Sequence, residues 1–197
     1  MRLAIIDSGG ANIASLRFAI ERLGVESKIT TDPRTVCEAS HIILPGVGAA
    51  ADCMARLRNA GLVDTLRSLR QPMLGICVGM QLLFESSEEG DVACLGLLPG
   101  RVRRFADREH LPVPHMGWNQ LEFSNATPLL EDMAAGDHVY FVHSYAAPVS
   151  ELTLASATYG EPFSAIVQRG NVFGAQFHPE RSARIGSLLL RNFLRLQ

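Results

Sequence analysis

The sequence has no excess of charge of either sign and no long apolar run. It contains 18 Lys and Arg residues and 20 Asp and Glu residues, which gives a formal net charge of -2 at pH 7. A basic surplus is what binds nucleic acid or an anionic membrane, so we expect neither as a partner. The N-terminal apolar run ends at Asp7 and is too short for a signal-peptide core or a membrane span, so we expect a cytoplasmic protein.

Cysteine is scarce as well. The four residues Cys37, Cys53, Cys77 and Cys94 form no C-x-x-C pair and no cluster with histidine. This spacing argues against a zinc site and a disulfide framework, and we expect no metal and no cofactor. In a reducing compartment all four are expected to be free thiols, and all except Cys77 are expected to be small buried hydrophobic residues.

The length of 197 residues favours a single domain that spans residues 1–197. The first part of the chain alternates short apolar runs with longer helical patterns. Strands joined by helices of this length pair in parallel, because a tight turn cannot join parallel neighbours. The pattern predicts a doubly wound α/β sheet. The predicted strands are 3–7, 25–30, 42–45 and 73–76, and the predicted helices are 12–23, 33–39 and 49–69, the last interrupted at Gly61.

After residue 100 the pattern changes to strands separated by turn signals. We predict that these strands are antiparallel and extend or edge the parallel sheet, which gives a mostly parallel sheet with antiparallel edge strands. The predicted strands are 101–105, 139–145, 152–158, 165–168 and 172–177, and a final helix is predicted over 182–196.

The stretch PMLGICVGMQLL at 72–83 places Cys77 between Gly75 and Gly79, where a strand-like run turns into a helix-like one. A nucleophile on such a tight turn needs glycine at both flanks, since side chains there would collide with the sheet and the helix. The helix N-terminus would favour the thiolate, and the N–H of Val78 would point to where an oxyanion forms. The alternative is a packed cysteine at an ordinary turn.

A candidate base lies in the segment GAQFHPERS at 174–182. Pro179 disfavours helical geometry at His178, and in an extended chain His178 and Glu180 point to the same side. A thiol, an imidazole that moves its proton and a carboxylate that orients the ring are the triad of acyl transfer. A hydrogen-bonded histidine at a strand end and a solvated glutamate are the alternatives.

A second backbone donor is expected in LPGVG at 44–48, which ends the third strand. Its two glycines let the backbone approach a ligand closely and permit a peptide group to flip. An ordinary Pro-Gly turn is the alternative interpretation.

We call the tight turn G-x-C-x-G-x-Q at 75–81 the elbow. Together, the elbow, the PGVG loop at 45–48 and the FHPE segment at 177–180 resemble class I, triad-type glutamine amidotransferases. PHMGWN at 114–119, YFVHSY at 140–145, QFHPERS at 176–182 and LLRNFL at 189–194 are similar to the branch formed by glutaminase subunits of imidazole glycerol phosphate synthases. The match covers nearly the whole chain. The segment HMGWN at 115–119 best distinguishes this branch from related amidotransferase branches. One departure is SGGAN at 8–12, which has Ser and Ala where many relatives carry Tyr and Gly, although Asn12 itself is retained.

The resemblance implies an enzyme that releases ammonia from glutamine. Cys77 would attack the side-chain amide to form a glutamyl thioester, and His178 would protonate the departing nitrogen and then activate water. Glu180 would hold the ring of His178. The further site residues that the resemblance implies are the oxyanion donors at Val78 and the Gly46–Val47 peptide and, lining the glutamine pocket, Gln81.

The family also implies a partner, a (β/α)8 barrel cyclase subunit that forms a heterodimer with the glutaminase. It would receive the ammonia internally and use it on a phosphorylated ribulosyl aminoimidazole carboxamide nucleotide in histidine biosynthesis. A buried route keeps ammonia from protonation by water, so that it stays nucleophilic. The resemblance places Asn12, Trp118, Asn119, Tyr140 and His143 toward that interface; for Trp118 and Tyr140, core packing is the alternative.

Three other functions stay open on the sequence. A thiol hydrolase or protease on a similar sheet would carry a histidine soon after the cysteine, and residues 78–86 contain none. A binding subunit that had lost the chemistry would lack a triad member, and all three are present. Another amidotransferase branch, such as anthranilate or guanylate synthesis, would co-purify with a different synthase subunit.

Overall fold

The central element is an eight-stranded sheet with a parallel half and an antiparallel half. A computed structural model of the chain describes residues 2–9 and 12–196. The strand order in this sheet is β2-β1-β3-β4-β14-β13-β12-β9. The pairs β2-β1, β1-β3, β3-β4 and β4-β14 are parallel. These strands are β1 (Leu3–Ile6), β2 (Ser27–Thr30), β3 (His41–Gly46), β4 (Met73–Cys77) and β14 (Val172–Ala175).

Helices connect the parallel strands, as the sequence predicts. The long helix expected over 49–69 is two helices, because Gly61 takes a left-handed conformation with φ 66° between them. Helix α4 contacts both α2 and α3, whereas α1 and α6 both contact a short 3-10 turn at Pro179–Arg181. The helices are α1 (Asn12–Glu21), α2 (Pro33–Glu38), α3 (Ala50–Asn59), α4 (Leu62–Ser68), α5 (Val78–Gln81) and α6 (Ala183–Leu194).

The antiparallel half extends the sheet beyond β14, as predicted for this part of the chain. Strand β13 pairs antiparallel with β14 and with β12, and β12 pairs antiparallel with β9 at the edge. The three strands are β9 (Glu122–Phe123), β12 (Thr153–Tyr159) and β13 (Glu161–Arg169).

The expectation that every strand after residue 100 joins the central sheet is wrong. Two predicted strands, 101–105 and 139–145, lie in separate small sheets of order β10-β8 and β11-β7-β5-β6. The sequence did not predict β8, β5 or β6. The strands of these sheets are β5 (Ser86–Ser87), β6 (Val92–Ala93), β7 (Arg101–Arg104), β8 (His115–Gln120), β10 (His138–His143) and β11 (Tyr145–Ala146).

A continuous hydrophobic core covers the central sheet on both faces, and β1, β3, β4 and β14 are buried along their whole length. All four cysteines are free thiols. Cys53, Cys77 and Cys94 are buried, but Cys37 is exposed, so the expectation of a buried Cys37 is wrong. In helix α2 the buried position is the adjacent Val36.

Candidate active site

Cys77 occupies a strained turn between β4 and α5. Its backbone has φ 54° and ψ -116°, a region that non-glycine residues rarely adopt. A Cβ on Gly75 would lie 2.6 Å from the carbonyl oxygen of Gly79, and a Cβ on Gly79 would lie 1.8 Å from the carbonyl oxygen of Leu44. The prediction that both flanks of the cysteine must be glycine is confirmed by these close approaches.

The helix after Cys77 is short. Helix α5 contains four residues, Val78–Gln81, so its dipole is weak and the expected helix-terminus effect on the sulfur is small. Another group is needed to favour the thiolate, and the structure places an imidazole there.

His178 and Glu180 come together beside that sulfur. His178 follows strand β14 with an extended backbone, φ -94° and ψ 102°, which confirms the effect expected of Pro179. Glu180 is in the 3-10 turn rather than in an extended segment, yet its Oε1 lies 2.9 Å from Nδ1 of His178. The two side chains are 4% and 3% exposed, so this pair is shielded from water.

The His178 imidazole is held in its charged form. Burial opposes the charge, but hydrogen bonds and electrostatic attraction to Cys77 and Glu180 outweigh burial and raise the pKa of His178 to about 10. An imidazolium next to a cysteine sulfur favours the thiolate, which is the nucleophilic form. The site therefore holds a nucleophile beside a proton donor.

A chain of side-chain amides supports the sulfur from the other side. Nε2 of Gln176 lies 3.8 Å from Sγ of Cys77. Oε1 of Gln176 accepts a hydrogen bond of 3.0 Å from Nε2 of Gln81. Nε2 of Gln81 also donates to the carbonyl oxygen of Tyr145 at 2.8 Å. The sequence interpretation missed Gln176, although its position two residues before His178 on a strand would have placed both side chains on one face.

A cavity of about 310 Å³ opens in front of Cys77 and is lined by Gln81, Glu89 and His178, among others. This is near the lower end of the roughly 300–1,000 Å³ range of ligand pockets. Oε1 of Gln81 is buried and has no hydrogen-bond partner among the described residues, so the pocket offers a free acceptor. Glu89 was not predicted; burial raises the pKa of its carboxyl group, because a low-dielectric environment disfavours the charged form.

The PGVG loop lies against the elbow. A Cβ on Gly46 would lie 2.5 Å from the backbone nitrogen of Gly79 and 2.9 Å from Cβ of Val78, so only glycine allows this approach. Val47 and Val78 both line the cavity next to Cys77. The predicted oxyanion residues Gly46, Val47 and Val78 are thus brought together at one side of the sulfur.

The residues expected at an interface lie in three different places. Trp118 is 52% exposed, and its ring meets that of the partly buried Tyr140 edge to face at 6.0 Å. His143 is buried, and Asn119 connects to it through His115 by hydrogen bonds. Asn12 lies at the triad, where its Nδ2 donates to Oε1 of Glu180 at 3.4 Å.

The atypical first loop is described in part. Ser8 is fully buried, and its hydroxyl donates to the carbonyl oxygen of Pro45. Gly10 and Ala11, the latter one of the two atypical positions, lie outside the described residues.

The comparisons with known proteins all indicate one family. The model of the family described as glutamine amidotransferase class-I matches residues 4–196. The imidazole glycerol phosphate synthase subunit HisH of Xylella fastidiosa (strain Temecula1) is 55% identical over 194 residues, 98% of this chain and 97% of that protein. The subunit of the same name from Xanthomonas euvesicatoria pv. vesicatoria is 54% identical over the same shares.

Solved structures share the fold at low sequence identity. A glutamine amidotransferase structure superposes with a TM-score of 0.75 at 22% identity, covering 98% of this chain and 96% of that one. A glutamine amidotransferase from Thermotoga maritima gives a TM-score of 0.71 at 16% identity, covering 98% and 96%. Over residues 2–9 and 12–196, no helix is long and apolar enough to cross a membrane.

Proposed function

The chain belongs to the glutamine amidotransferase class-I family, and we propose that it is the glutaminase subunit of an imidazole glycerol phosphate synthase. It hydrolyses glutamine to glutamate and ammonia and passes the ammonia to a cyclase subunit in histidine biosynthesis. The buried contact between His178 and Glu180 beside Cys77 is the observation that carries the chemistry. The two relatives named for this synthase, each at least 54% identical over 98% of the chain, support the choice of branch.

The proposed reaction begins with attack of the Cys77 sulfur on the side-chain carbonyl carbon of glutamine. The carbonyl oxygen becomes an oxyanion, and the C–N bond breaks as the His178 imidazolium gives its proton to the nitrogen. Ammonia leaves and a glutamyl thioester remains. His178, now neutral, takes a proton from water, and the resulting hydroxide attacks the thioester to release glutamate and the thiolate. Glu180 holds the ring of His178 through both steps.

The oxyanion is proposed to bind the N–H groups of Val78 and of Val47, the latter in the Gly46–Val47 peptide. The close approach of Gly46 to the elbow supports this assignment, since it brings the loop backbone to the same side of the sulfur as Val78. Donors of this kind act on charge that develops in the transition state and raise the rate rather than substrate affinity.

Two pocket residues suit the remaining polar groups of glutamine. Oε1 of Gln81, for which the described part of the chain offers no hydrogen-bond partner, is an acceptor for an N–H of the substrate. The half-buried carboxylate of Glu89 fits the α-ammonium group, because a cation there would relieve the cost of burying its charge. Both residues line the same cavity as Cys77.

A second subunit is proposed to cover the β8–β10 sheet. Met116 and Trp118 project from β8 with 63% and 52% of their surface exposed, and Arg181 lies over the ring of Tyr140 at 4.5 Å. Exposed large apolar side chains close to an active site are typical of a protein interface. We propose a (β/α)8 barrel as this partner, a single glutaminase domain over residues 1–197, and the cytoplasm as the location.

The test is glutamate release from glutamine by the purified chain, alone and with the cyclase subunit and imidazole glycerol phosphate. We expect slow release alone and much faster release in the complex. A Cys77→Ala complex should release no glutamate but still use added ammonia for synthesis. Absence of glutamate from the wild-type chain under both conditions would refute the glutaminase assignment, and loss of ammonia-dependent synthesis in Cys77→Ala would refute the role of Cys77.

A further inference from the structure

Ser8, in the segment after β1, fixes one end of residues 45–48. We call these residues the oxyanion loop, and the first two of them, Pro45 and Gly46, are the last residues of β3. The Ser8 hydroxyl donates to the carbonyl oxygen of Pro45 at 2.5 Å, and Ser8 is fully buried. The carbonyl oxygen of Ser8 accepts a hydrogen bond of 2.9 Å from Nη1 of Arg56 on α3. Ser8 is thus held by its own contacts and holds the Pro45 carbonyl in turn.

Cys53, in α3, fixes the other side of the loop. Its Sγ lies 3.4 Å from the carbonyl oxygen of Val47, and the residue is fully buried. Burial raises the pKa of the Cys53 thiol, so the sulfur keeps its proton at neutral pH and acts as the donor. Neither Ser8 nor Cys53 lines the cavity in front of Cys77.

The two acceptor carbonyls belong to the peptide groups on either side of the Gly46–Val47 peptide. Each peptide group is planar, so fixing the outer two leaves the middle one free to turn about its Cα–Cα axis without moving its neighbours. Gly46 imposes little steric cost on such a turn. The two bonds therefore restrict the loop to a rotation of one peptide group, the one that carries the N–H of Val47.

The far end of the loop is fixed as well. Ala49, the residue before α3, makes no side-chain cap, and the backbone nitrogen of Ala50 donates instead to Oε2 of Glu89 at 2.8 Å. The loop and the residues next to it are therefore held by three contacts, with Ser8, Cys53 and Glu89. The Gly46–Val47 peptide can turn while the rest of the loop stays in place.

We propose that Ser8 and Cys53 are positioning residues that hold the oxyanion loop on both sides of the Gly46–Val47 peptide, so that this peptide, which carries the Val47 N–H, keeps its position beside Cys77. This inference rests on the proposed function, because the position of the peptide matters only if the loop binds an oxyanion. It also gives a role to Ser8, one of the two atypical residues of the first loop.

The variants Ser8→Ala and Cys53→Ala each remove one donor, and Cys53→Ser keeps one. The chain offers matched controls: Ser164 is fully buried and donates to the carbonyl oxygen of Pro148 at 2.8 Å, and Cys94 is buried and donates to that of Val92 at 3.7 Å. Ser164→Ala and Cys94→Ala remove the same groups away from the loop.

The first readout is glutamate release by the complex of the full chain, the cyclase subunit and imidazole glycerol phosphate. Loss of an entire oxyanion donor lowers kcat by about 10²–10³-fold, so partial loss of its position should lower kcat by roughly 5- to 50-fold. KM for glutamine should change by less than about twofold, because the oxyanion exists only in the transition state. Cys53→Ser should restore most of the rate, and both controls should match the wild type.

The second readout is amide hydrogen exchange of peptides that cover residues 45–50, measured without substrate. Exchange should be faster in Ser8→Ala and Cys53→Ala and unchanged in both controls. Unchanged exchange would overturn the proposed anchoring, whether or not the chain is a glutaminase. Faster exchange with an unchanged kcat, in a wild-type complex that releases glutamate, would overturn the link to catalysis while the proposed function stands.

Discussion

Nδ1 of His115 lies 3.1 Å from Nε2 of His143, and the geometry around the pair fixes which ring donates. Nδ1 of His143 is 2.8 Å from the carbonyl oxygen of Tyr145, which can only accept, so this nitrogen carries the proton. Because the His143 ring is neutral, its Nε2 is then an acceptor, and Nδ1 of His115 is the donor. Nε2 of His115 accepts in turn from Nδ2 of Asn119 at 3.4 Å. The hydrogen bonds run in one direction, from β8 to Tyr145.

This chain of bonds connects the proposed partner-binding sheet to the pocket. The carbonyl oxygen of Tyr145 that ends it also accepts from Nε2 of Gln81. Burial lowers the pKa of His115 to about 4, and burial with the nearby charges of His115 and His178 lowers the pKa of His143 to about 3. Both rings are therefore neutral at neutral pH. Protonation of either ring would place two N–H groups face to face.

The free energy of unfolding is predicted to fall as the pH is lowered through the acid range. The folded pKa values of His115 and His143 lie below the ordinary value of 6.5, so between pH 6.5 and about 4 the unfolded chain binds more protons. The stability that these two neutral rings contribute is fully present above pH 6.5 and is lost as the pH falls toward their folded pKa values. His115→Phe, which keeps an aromatic ring stacked on Phe141, should reduce this pH dependence by about one proton.

Urea unfolding at a series of pH values from about 7 to 4.5 measures this slope. His110→Phe serves as the control, because the His110 side chain is 90% exposed. Equal slopes for His115→Phe and the wild type would contradict the neutral, buried state of the pair.

In the triad, His178→Ala is predicted to cost more activity than Glu180→Gln. The imidazole moves the proton in both steps, whereas the carboxylate orients it, and glutamine keeps an oxygen that can accept from Nδ1 of His178. We expect kcat for glutamate release to fall by more than about 10³-fold for His178→Ala and by roughly 10- to 100-fold for Glu180→Gln. Glu109→Gln, at a carboxylate that is 89% exposed, is the control. Similar losses in the two triad variants would count against these roles.

The parts of the fold that local sequence determines could be predicted. Apolar runs and helical periodicity located β1, β3, β4 and β14, which are buried along their length. Strand β8 was missed because its inward positions are His115, Gly117 and Asn119 rather than apolar residues, so the period-2 signal is absent. Strands of two residues, such as β5 and β6, are too short to show any period.

The site residues also divide into those that a local sequence motif predicts and those that it does not. Cys77 and its flanking glycines form a local motif, and so do His178 and Glu180. The contact of Asn12 with Glu180 spans 168 residues of sequence, and that of Ser8 with Pro45 depends on the side-by-side placement of β1 and β3. Such contacts follow from the tertiary arrangement, which no pattern of residue types specifies.

The elbow itself gives the strongest prediction for stability. A Cβ on Gly79 would lie 1.8 Å from the carbonyl oxygen of Leu44 and 3.1 Å from the carbonyl carbon of Pro45. These are backbone atoms of β3, which is paired with β4 at Leu44 and Gly75, so they cannot move aside without breaking the sheet. Gly79→Ala should therefore cost more than the about 1–3 kcal/mol that overpacking a core usually costs.

Gly24 provides the matched control for this substitution. Gly24 has φ +77° and no atom within 4 Å of its would-be Cβ, so Gly24→Ala meets backbone strain but no collision. It should lower the free energy of unfolding by about 1 kcal/mol. Urea unfolding of both variants at neutral pH gives the comparison. If Gly79→Ala proved no less stable than Gly24→Ala, the elbow could not lie against β3, and the placement of Gly46 and Val47 beside Cys77 would fail with it.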